Sequence, residues 1–171
     1  FILHDADVRE VCPASSEDTL LQKDAKLANK AAEFLVYGNP DAVFVYFGQV
    51  DEIGHKDGFH PSVQSYLHAL QTVDDHIASL VQSIKSRPEY LEENWLVIIS
   101  TDHGGRGRKH RGGHDVPEIL TTFLVVSGVR SEKGLIDEPS YIVDVPVTAL
   151  THLGVLVDSA WQLDGKAVGI K

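Results

Sequence analysis

The sequence is poor in cysteine and in long apolar runs, and each absence excludes a class of protein. Cys12 is the single cysteine among 171 residues, so an internal disulfide and a cysteine-based zinc site are both excluded. No apolar run reaches the roughly 18 residues that a membrane-spanning helix needs, so we expect no membrane segment. Residues 1–10 lack a charged stretch followed by a long apolar one, so we expect no signal peptide there.

Positive charge is also scarce. The chain has 15 Lys and Arg against 25 Asp and Glu, a formal net charge of −10. This balance argues against a general nucleic-acid surface, although divalent cations would neutralise part of it. The length fits one domain over residues 1–171, and 43% hydrophobic residues suffice for a buried core.

Hydrophobic patterning predicts an α/β protein in which helices and strands alternate. The strand candidates show no clear polar alternation, which is typical of strands covered on both faces in a parallel sheet. The predicted elements are a helix from Ser15 or Ser16 to about Tyr37, a strand over 42–47, a loop over 48–60, a helix from Pro61 to about Ser86, a strand over 95–100, a loop over 102–117, a strand over 121–127, an extended piece over 141–143 and a helix from Asp144 to Leu153, with Gly154 in the left-handed position after it.

Asp and His pairs follow two of these predicted strands. Asp51 and His55 follow the first, and Asp102 and His103 follow the second. Because parallel strands collect functional groups at their carboxyl edge, we expect the two pairs to lie close together. Carboxylate oxygen with imidazole nitrogen suits zinc, with manganese or iron as alternatives.

The glycine-rich loop after the second pair adds two more histidines. Either His110 or His114 would complete the shell of the first metal, and the other would then be an exposed loop histidine. Four cations surround them: Arg106, Arg108, Lys109 and Arg111. These cations either attract a phosphate anion or lie in a solvated loop, where their positive charge offsets the negative charge of neighbouring acidic residues. We favour the second interpretation.

Two cations a few ångströms apart stabilise both the attacking and the leaving oxygen of an in-line displacement. They also favour hydroxide formation near neutral pH. The two Asp/His pairs therefore indicate hydrolysis at phosphorus or sulfur.

The order of motifs resembles a known family. The segments FVYFGQVDEIGH, VIISTDHGG, KHRGGHDVPEILTTFLVVSG, DVPVTALTHLG and LDGK are similar to the C-terminal half of the alkaline phosphatase superfamily, over about residues 25–171. Within it they most resemble type I phosphodiesterase/nucleotide pyrophosphatase-like enzymes. The resemblance implies a three-layer α/β/α sandwich with a mostly parallel sheet, of which the N-terminal part is missing here.

The resemblance also implies the metal ligands. Asp51 and His55 would bind one zinc ion with a third ligand from His110 or His114, and Asp102 and His103 would bind the other. We prefer His110, because it fits the DHGG-x4-H pattern of bacterial members. His114 remains open, because the stretch between His110 and Glu118 is slightly long for that pattern.

The family's nucleophilic Ser or Thr, and a further metal-binding Asp, come from a segment that would precede Phe1. We therefore assign no catalytic nucleophile to this chain, and neither Ser100 nor Thr101 takes that role. The expected partners are this N-terminal segment and a small-molecule phosphoester. The isolated chain is expected to be inactive, and its parent to be periplasmic or secreted if it carries a signal peptide.

Together these features predict metal-dependent hydrolysis of phosphodiesters or nucleotide-type pyrophosphates. The alternatives are a sulfatase, phosphoglycerate mutase or phosphonate hydrolase of the same superfamily, and a non-catalytic metal-binding fragment. The nucleophile would distinguish the first group, and an assay on this chain alone would distinguish the last.

Overall fold

The computed structural model describes residues 18–112 and 115–171, and within them helices predominate over strands. The α-helices are α1 (Leu20–Tyr37), α2 (Gln49–Asp57), α3 (Gln64–Lys85), α4 (Pro117–Leu120) and α5 (Asp144–His152); the strands are β1 (Leu96–Ser100) and β2 (Leu124–Gly128); and a 3-10 turn covers Ser159–Trp161. Helices α1, α2 and α3 pack against one another, and α5 packs against β1. Cys12, Ser15, Ser16 and His114 lie outside the described residues.

Helix α1 begins at a capping box. The Thr19 hydroxyl accepts a hydrogen bond from the Gln22 amide, and the Gln22 side chain accepts one from the Thr19 amide. The predicted end at Tyr37 is confirmed. One face of the helix is buried, and its residues recur at helical spacing: Asp24, Ala28, Ala31 and Leu35.

Arg87 ties the end of α1 to the segment that follows α3. Its guanidinium donates to the carbonyls of Leu35 at 2.5 Å and Gly38 at 2.9 Å, and it also pairs with the Glu93 carboxylate. Trp95 lies beside the guanidinium, 5.3 Å from ring centroid to carbon, and its indole N–H donates to Glu93. These contacts satisfy α1 carbonyls that its last turn leaves without an intrahelical partner.

The sheet of the described residues differs from the predicted parallel one. Strands β1 and β2 pair antiparallel, with Leu96 opposite Gly128 and Ser100 opposite Leu124. Burial alternates along β2, and β1 is only partly buried, so this two-stranded sheet is not covered on both faces. The apolar runs predicted where the two strands lie. Whether the strands pair parallel or antiparallel depends on the connection between them, which these runs do not describe.

The first predicted strand and the loop after it are both corrected. Residues 42–47 form no strand, because within the described residues no neighbouring strand pairs with them, and Phe44 and Tyr46 are exposed. The predicted loop over 48–60 is mostly α2. Its polar composition and Gly54 favour a loop, but packing against α1 and α3 stabilises a helix there.

The later elements shift by a few residues. The third predicted strand begins at Leu124, because Thr121 ends the short helix α4. Residues 141–143 form a turn rather than an extended piece, and the buried Asp144 carboxylate accepts the Tyr141 amide at 2.7 Å. Gly154 has φ +76°, so the predicted left-handed position is confirmed.

Asp24 joins α1 to the start of α2. Its side chain is buried, with 5% exposure, and its carboxylate accepts the amides of Gly48 at 3.3 Å and Gln49 at 2.9 Å. Burial raises the pKa of the Asp24 carboxyl above its ordinary value of 3.8. The hydrogen bonds from Gln49 and Gly48 and the charge of His76 oppose this shift without cancelling it.

The raised pKa predicts a pH-dependent contribution to stability. A carboxyl with a raised folded-state pKa contributes fully below its unfolded value of 3.8, and the contribution is lost as pH rises through the folded value. The free energy of unfolding of the wild type minus that of Asp24→Asn should therefore decrease with rising pH. Urea titrations of both proteins at several pH values measure this difference, and an increase with pH would contradict the assignment.

Candidate metal centre

Helix α2 presents Asp51 and His55 on one face. They are four residues apart, so their side chains lie one above the other. The Nε2 atom of His55 lies 3.6 Å from Oδ1 of Asp51. The loop after β1 brings His110 to the same carboxylate oxygen, with its Nε2 at 3.7 Å. Ligand atoms of Asp51, His55 and His110 all lie within 4.8 Å of one another, which is close enough for one metal ion.

The Oδ1 atom of Asp51 is the centre of this arrangement. It is shielded from solvent and has no hydrogen-bond donor among the described residues. Three imidazole nitrogens surround it, since Nε2 of His103 lies 4.0 Å away. A buried carboxylate oxygen without a donor is unfavourable unless a cation or a proton compensates it.

Backbone carbonyls fix the orientation of two of the histidines. Nδ1 of His55 lies 2.9 Å from the carbonyl of Arg108, and Nδ1 of His103 lies 2.8 Å from that of Gly104. A carbonyl only accepts, so each Nδ1 carries a proton and donates. In the neutral ring Nε2 then has a free lone pair, and in both residues Nε2 is the atom nearest Asp51.

The second predicted pair lies next to the first. His103 Nε2 is 3.7 Å from Asp102 Oδ2 and 4.0 Å from Asp51 Oδ1, so it connects the two carboxylates. The other oxygen of Asp102 accepts the His103 amide at 3.1 Å, and the side chain is 62% exposed. The rings of His103 and His110 stack with centroids 4.0 Å apart. The structure therefore brings both predicted pairs and His110 to one place.

The other predicted site residues have different positions. His114 falls outside the described residues. The four loop cations Arg106, Arg108, Lys109 and Arg111 are exposed. Arg106 and Lys109 pair through their backbones and close a tight hairpin, which carries His110 next to its end.

Phe59 supports the site and is absent from the sequence predictions. Its ring contacts the His55 ring edge to face, with centroids 5.4 Å apart, and it lies 6.4 Å from the ring of His110. A methyl group on Gly54 or on Gly105 would overlap the Phe59 ring. The two glycines thus make room for an aromatic ring beneath the imidazoles. Two glycines near the Asp/His pairs were a signal for such a contact, but nothing in the sequence names the ring that fills it.

Two tyrosines near the carboxylates were also missed by the sequence predictions. The Tyr46 side chain is exposed over most of its surface, but partial desolvation of its phenol raises the pKa, and the charges of Asp102, Asp51 and Asp24 raise it further. Burial and the charge of Asp51 likewise raise the pKa of Tyr66, whose ring contacts Phe59 at 5.8 Å. Both phenols therefore keep their protons near neutral pH and are hydrogen-bond donors.

Adding a single methyl group at Gly105 tests the role of the Phe59 ring. Gly105→Ala should displace Phe59, lower the free energy of unfolding by about 1–3 kcal/mol and weaken divalent-cation binding. Thermal unfolding and zinc titration measure the two effects. In the Gly105→Ala background, Phe59→Leu should recover part of the stability, because a smaller side chain relieves the overlap. Wild-type unfolding and binding in Gly105→Ala would show that the ring is not confined.

Comparison with known proteins gives one family and no individual relative. Among residues 18–112 and 115–171, no helix combines the length and apolar character needed to cross a bilayer. No curated protein and no solved structure matches the chain. The family model described as type I phosphodiesterase / nucleotide pyrophosphatase matches residues 7–122, which is more than half of the chain and includes both Asp/His pairs and His110. The segments DVPVTALTHLG and LDGK lie beyond this match. The predicted resemblance is confirmed, and the chain belongs to the type I phosphodiesterase/nucleotide pyrophosphatase family.

Proposed function

We propose that this chain carries the metal-binding part of a hydrolase for phosphodiesters or nucleotide-type pyrophosphates, and that it uses two divalent cations. Family membership supports phosphoric ester hydrolysis at the coarse level. The single observation that supports a cation is Asp51 Oδ1, which is shielded from solvent, lacks a donor among the described residues and faces three imidazole nitrogens.

The donor chemistry suits zinc. Asp51, His55 and His110 would hold the first ion, since one carboxylate and two imidazoles match the ligands that zinc prefers, with manganese as an alternative. Asp102 and His103 would hold the second, together with a ligand from outside this chain. Bound ions would supply Lewis-acid stabilisation of the charge that develops on the phosphoryl oxygens.

The chain's own groups would orient the ions and the substrate. The carbonyls of Arg108 and Gly104 keep the lone pairs of His55 and His103 directed toward the carboxylates. Tyr46 and Tyr66 retain their protons and are suited to donate hydrogen bonds to phosphoryl oxygens near Asp51.

The nucleophile is proposed to lie outside this chain. The Ser100 hydroxyl donates to the Phe123 carbonyl at 2.9 Å, and the Thr101 hydroxyl donates to the His103 carbonyl at 2.8 Å. Because both hydroxyls are engaged by carbonyls and contact no base in these bonds, neither is activated for attack. A Ser or Thr from the same domain would complete the site, so the 171-residue chain alone should be inactive.

The proposed complete domain is a three-layer α/β/α sandwich with a mostly parallel sheet. The apolar side chains of residues 42–47 support it, because Val43, Phe44 and Tyr46 are exposed within the described residues. A β-branched and aromatic run of this kind is stable in water when it is covered by a neighbouring strand or helix.

Zinc binding by this chain tests the first ion site. Replacing His55 with glutamine should weaken zinc binding at least about tenfold, because the lone pair facing Asp51 is lost. His60→Gln is a matched control, since His60 hydrogen-bonds Ser62 at 2.7 Å instead of facing the carboxylate. Calorimetric titration with zinc measures both variants. Equal affinities in the two variants would contradict the assigned ligand.

Turnover tests the reaction. In a protein that joins this chain to the segment supplying the nucleophile, Asp102→Asn should lower hydrolysis of bis(p-nitrophenyl) phosphate by roughly a hundredfold or more. The wild type should hydrolyse the phosphodiester faster than p-nitrophenyl sulfate. Faster sulfate hydrolysis would favour a sulfatase, and full turnover in Asp102→Asn would remove the second ion site from the mechanism.

A further inference from the structure

Helix α2 begins without a capping side chain of its own. Its N-cap residue is Gly48, which has φ −104° and no side chain to accept the first helical amides. Asp24 fills this role from a different helix, since its two carboxylate oxygens accept the amides of Gly48 and Gln49. The bond to Gln49, at 2.9 Å, has ordinary hydrogen-bond length.

The residues at this point are buried, so water does not replace the carboxylate. Asp24 is 5% exposed and Gln49 is 0% exposed. The side-chain amide of Gln49 has no hydrogen-bond partner among the described residues. The start of α2 is therefore held through the backbone N–H groups of Gly48 and Gln49, and not through the Gln49 side chain. A buried amide without an acceptor is unfavourable, because it has lost its hydrogen bond to water and gained none in the protein.

Both ligands on α2 follow this anchor directly. Asp51 is the third residue of the helix, and His55 lies one turn farther on. In a helix of nine residues, a shift of the first turn moves both side chains relative to His110, which comes from a separate loop. In the structure, where Asp24 holds the start of α2, the three ligand atoms lie within 4.8 Å of one another.

We propose that Asp24 is a positioning residue of the metal centre: by accepting the first amides of α2, it sets the position of Asp51 and His55 relative to His110. This inference rests on the proposed function, in which these three residues hold the first ion. It assigns a role to a residue more than twenty positions away in sequence from the nearest ligand.

The test uses the 171-residue chain, zinc alone as the probe, and three substitutions at two positions of α1. Asp24→Ala removes both acceptors and should weaken zinc binding about tenfold. Asp24→Asn keeps one acceptor and should have an intermediate effect. Ala28→Gly is the matched control, because this buried residue lies one turn from Asp24 on α1, and the change destabilises the helix while leaving the Asp24 carboxylate in place. It should lower the melting temperature and leave the zinc affinity unchanged.

A second readout needs no metal. In NMR spectra of the metal-free chain, Asp24→Ala should shift the ring resonances of His55, and those of His152 should stay in place. His152 lies on α5 and hydrogen-bonds the Asn94 carbonyl, away from α2. If Asp24→Ala does not fold, Asp24→Asn decides through both measurements.

The outcomes separate this proposal from the proposed function. A wild type that binds no zinc refutes the metal site, and the His55 resonances still test whether Asp24 sets the position of α2. Wild-type zinc affinity in a folded Asp24 variant, or an equal loss of affinity in Ala28→Gly, overturns the positioning role while the metal site stands. An unchanged His55 spectrum in Asp24→Ala also overturns it.

Discussion

The placement of helix α2 is the constraint on which the whole centre depends. The helix has only nine residues, so it is too short to be stable alone and takes its position from α1 and α3. Asp24 holds its first amides, and Gly58 and Phe59 hold its end through the carbonyls of Gly54 and Gly107. Because both ends of α2 are fixed, the Asp51 carboxylate and the His55 imidazole on one face of the helix lie next to the loop after β1.

Two carboxylates in this region are buried, although burying a negative charge lowers the stability of the fold. Asp24 is almost fully buried, and Oδ1 of Asp51 is shielded without a donor. Hydrophobic side chains at either position would be easier to bury. The two buried carboxylates are understandable if both serve a cation. A bound ion would compensate the Asp51 oxygen, and Asp24 would position the helix that carries Asp51. Local destabilisation of this kind is common where structure is organised for binding.

Residue type and order predicted which side chains come together at the candidate site, but not the residues that support them. The pairs Asp51/His55 and Asp102/His103 could be found because a strand-like run precedes each of them. Helix α2 could not, because Gly54 and polar neighbours are typical of a loop and only tertiary packing overrides that preference. Likewise the antiparallel β1–β2 pairing depends on contacts remote in sequence. Phe59 is important because its ring fills the space that Gly54 and Gly105 leave, and the sequence pattern around these glycines does not identify the ring.

The hydrogen bond between His55 and the main chain at Arg108 has an evolutionary consequence. The imidazole is held by a carbonyl, a group that every amino acid possesses, so the side chain at position 108 is free to drift without disturbing the ring. What has to be preserved is the number of residues between His103 and His110 and the tight hairpin that they form. Across relatives, insertions and deletions in this loop should be rarer than substitutions. The length of the loop is therefore a better marker of an intact site than its amino-acid sequence.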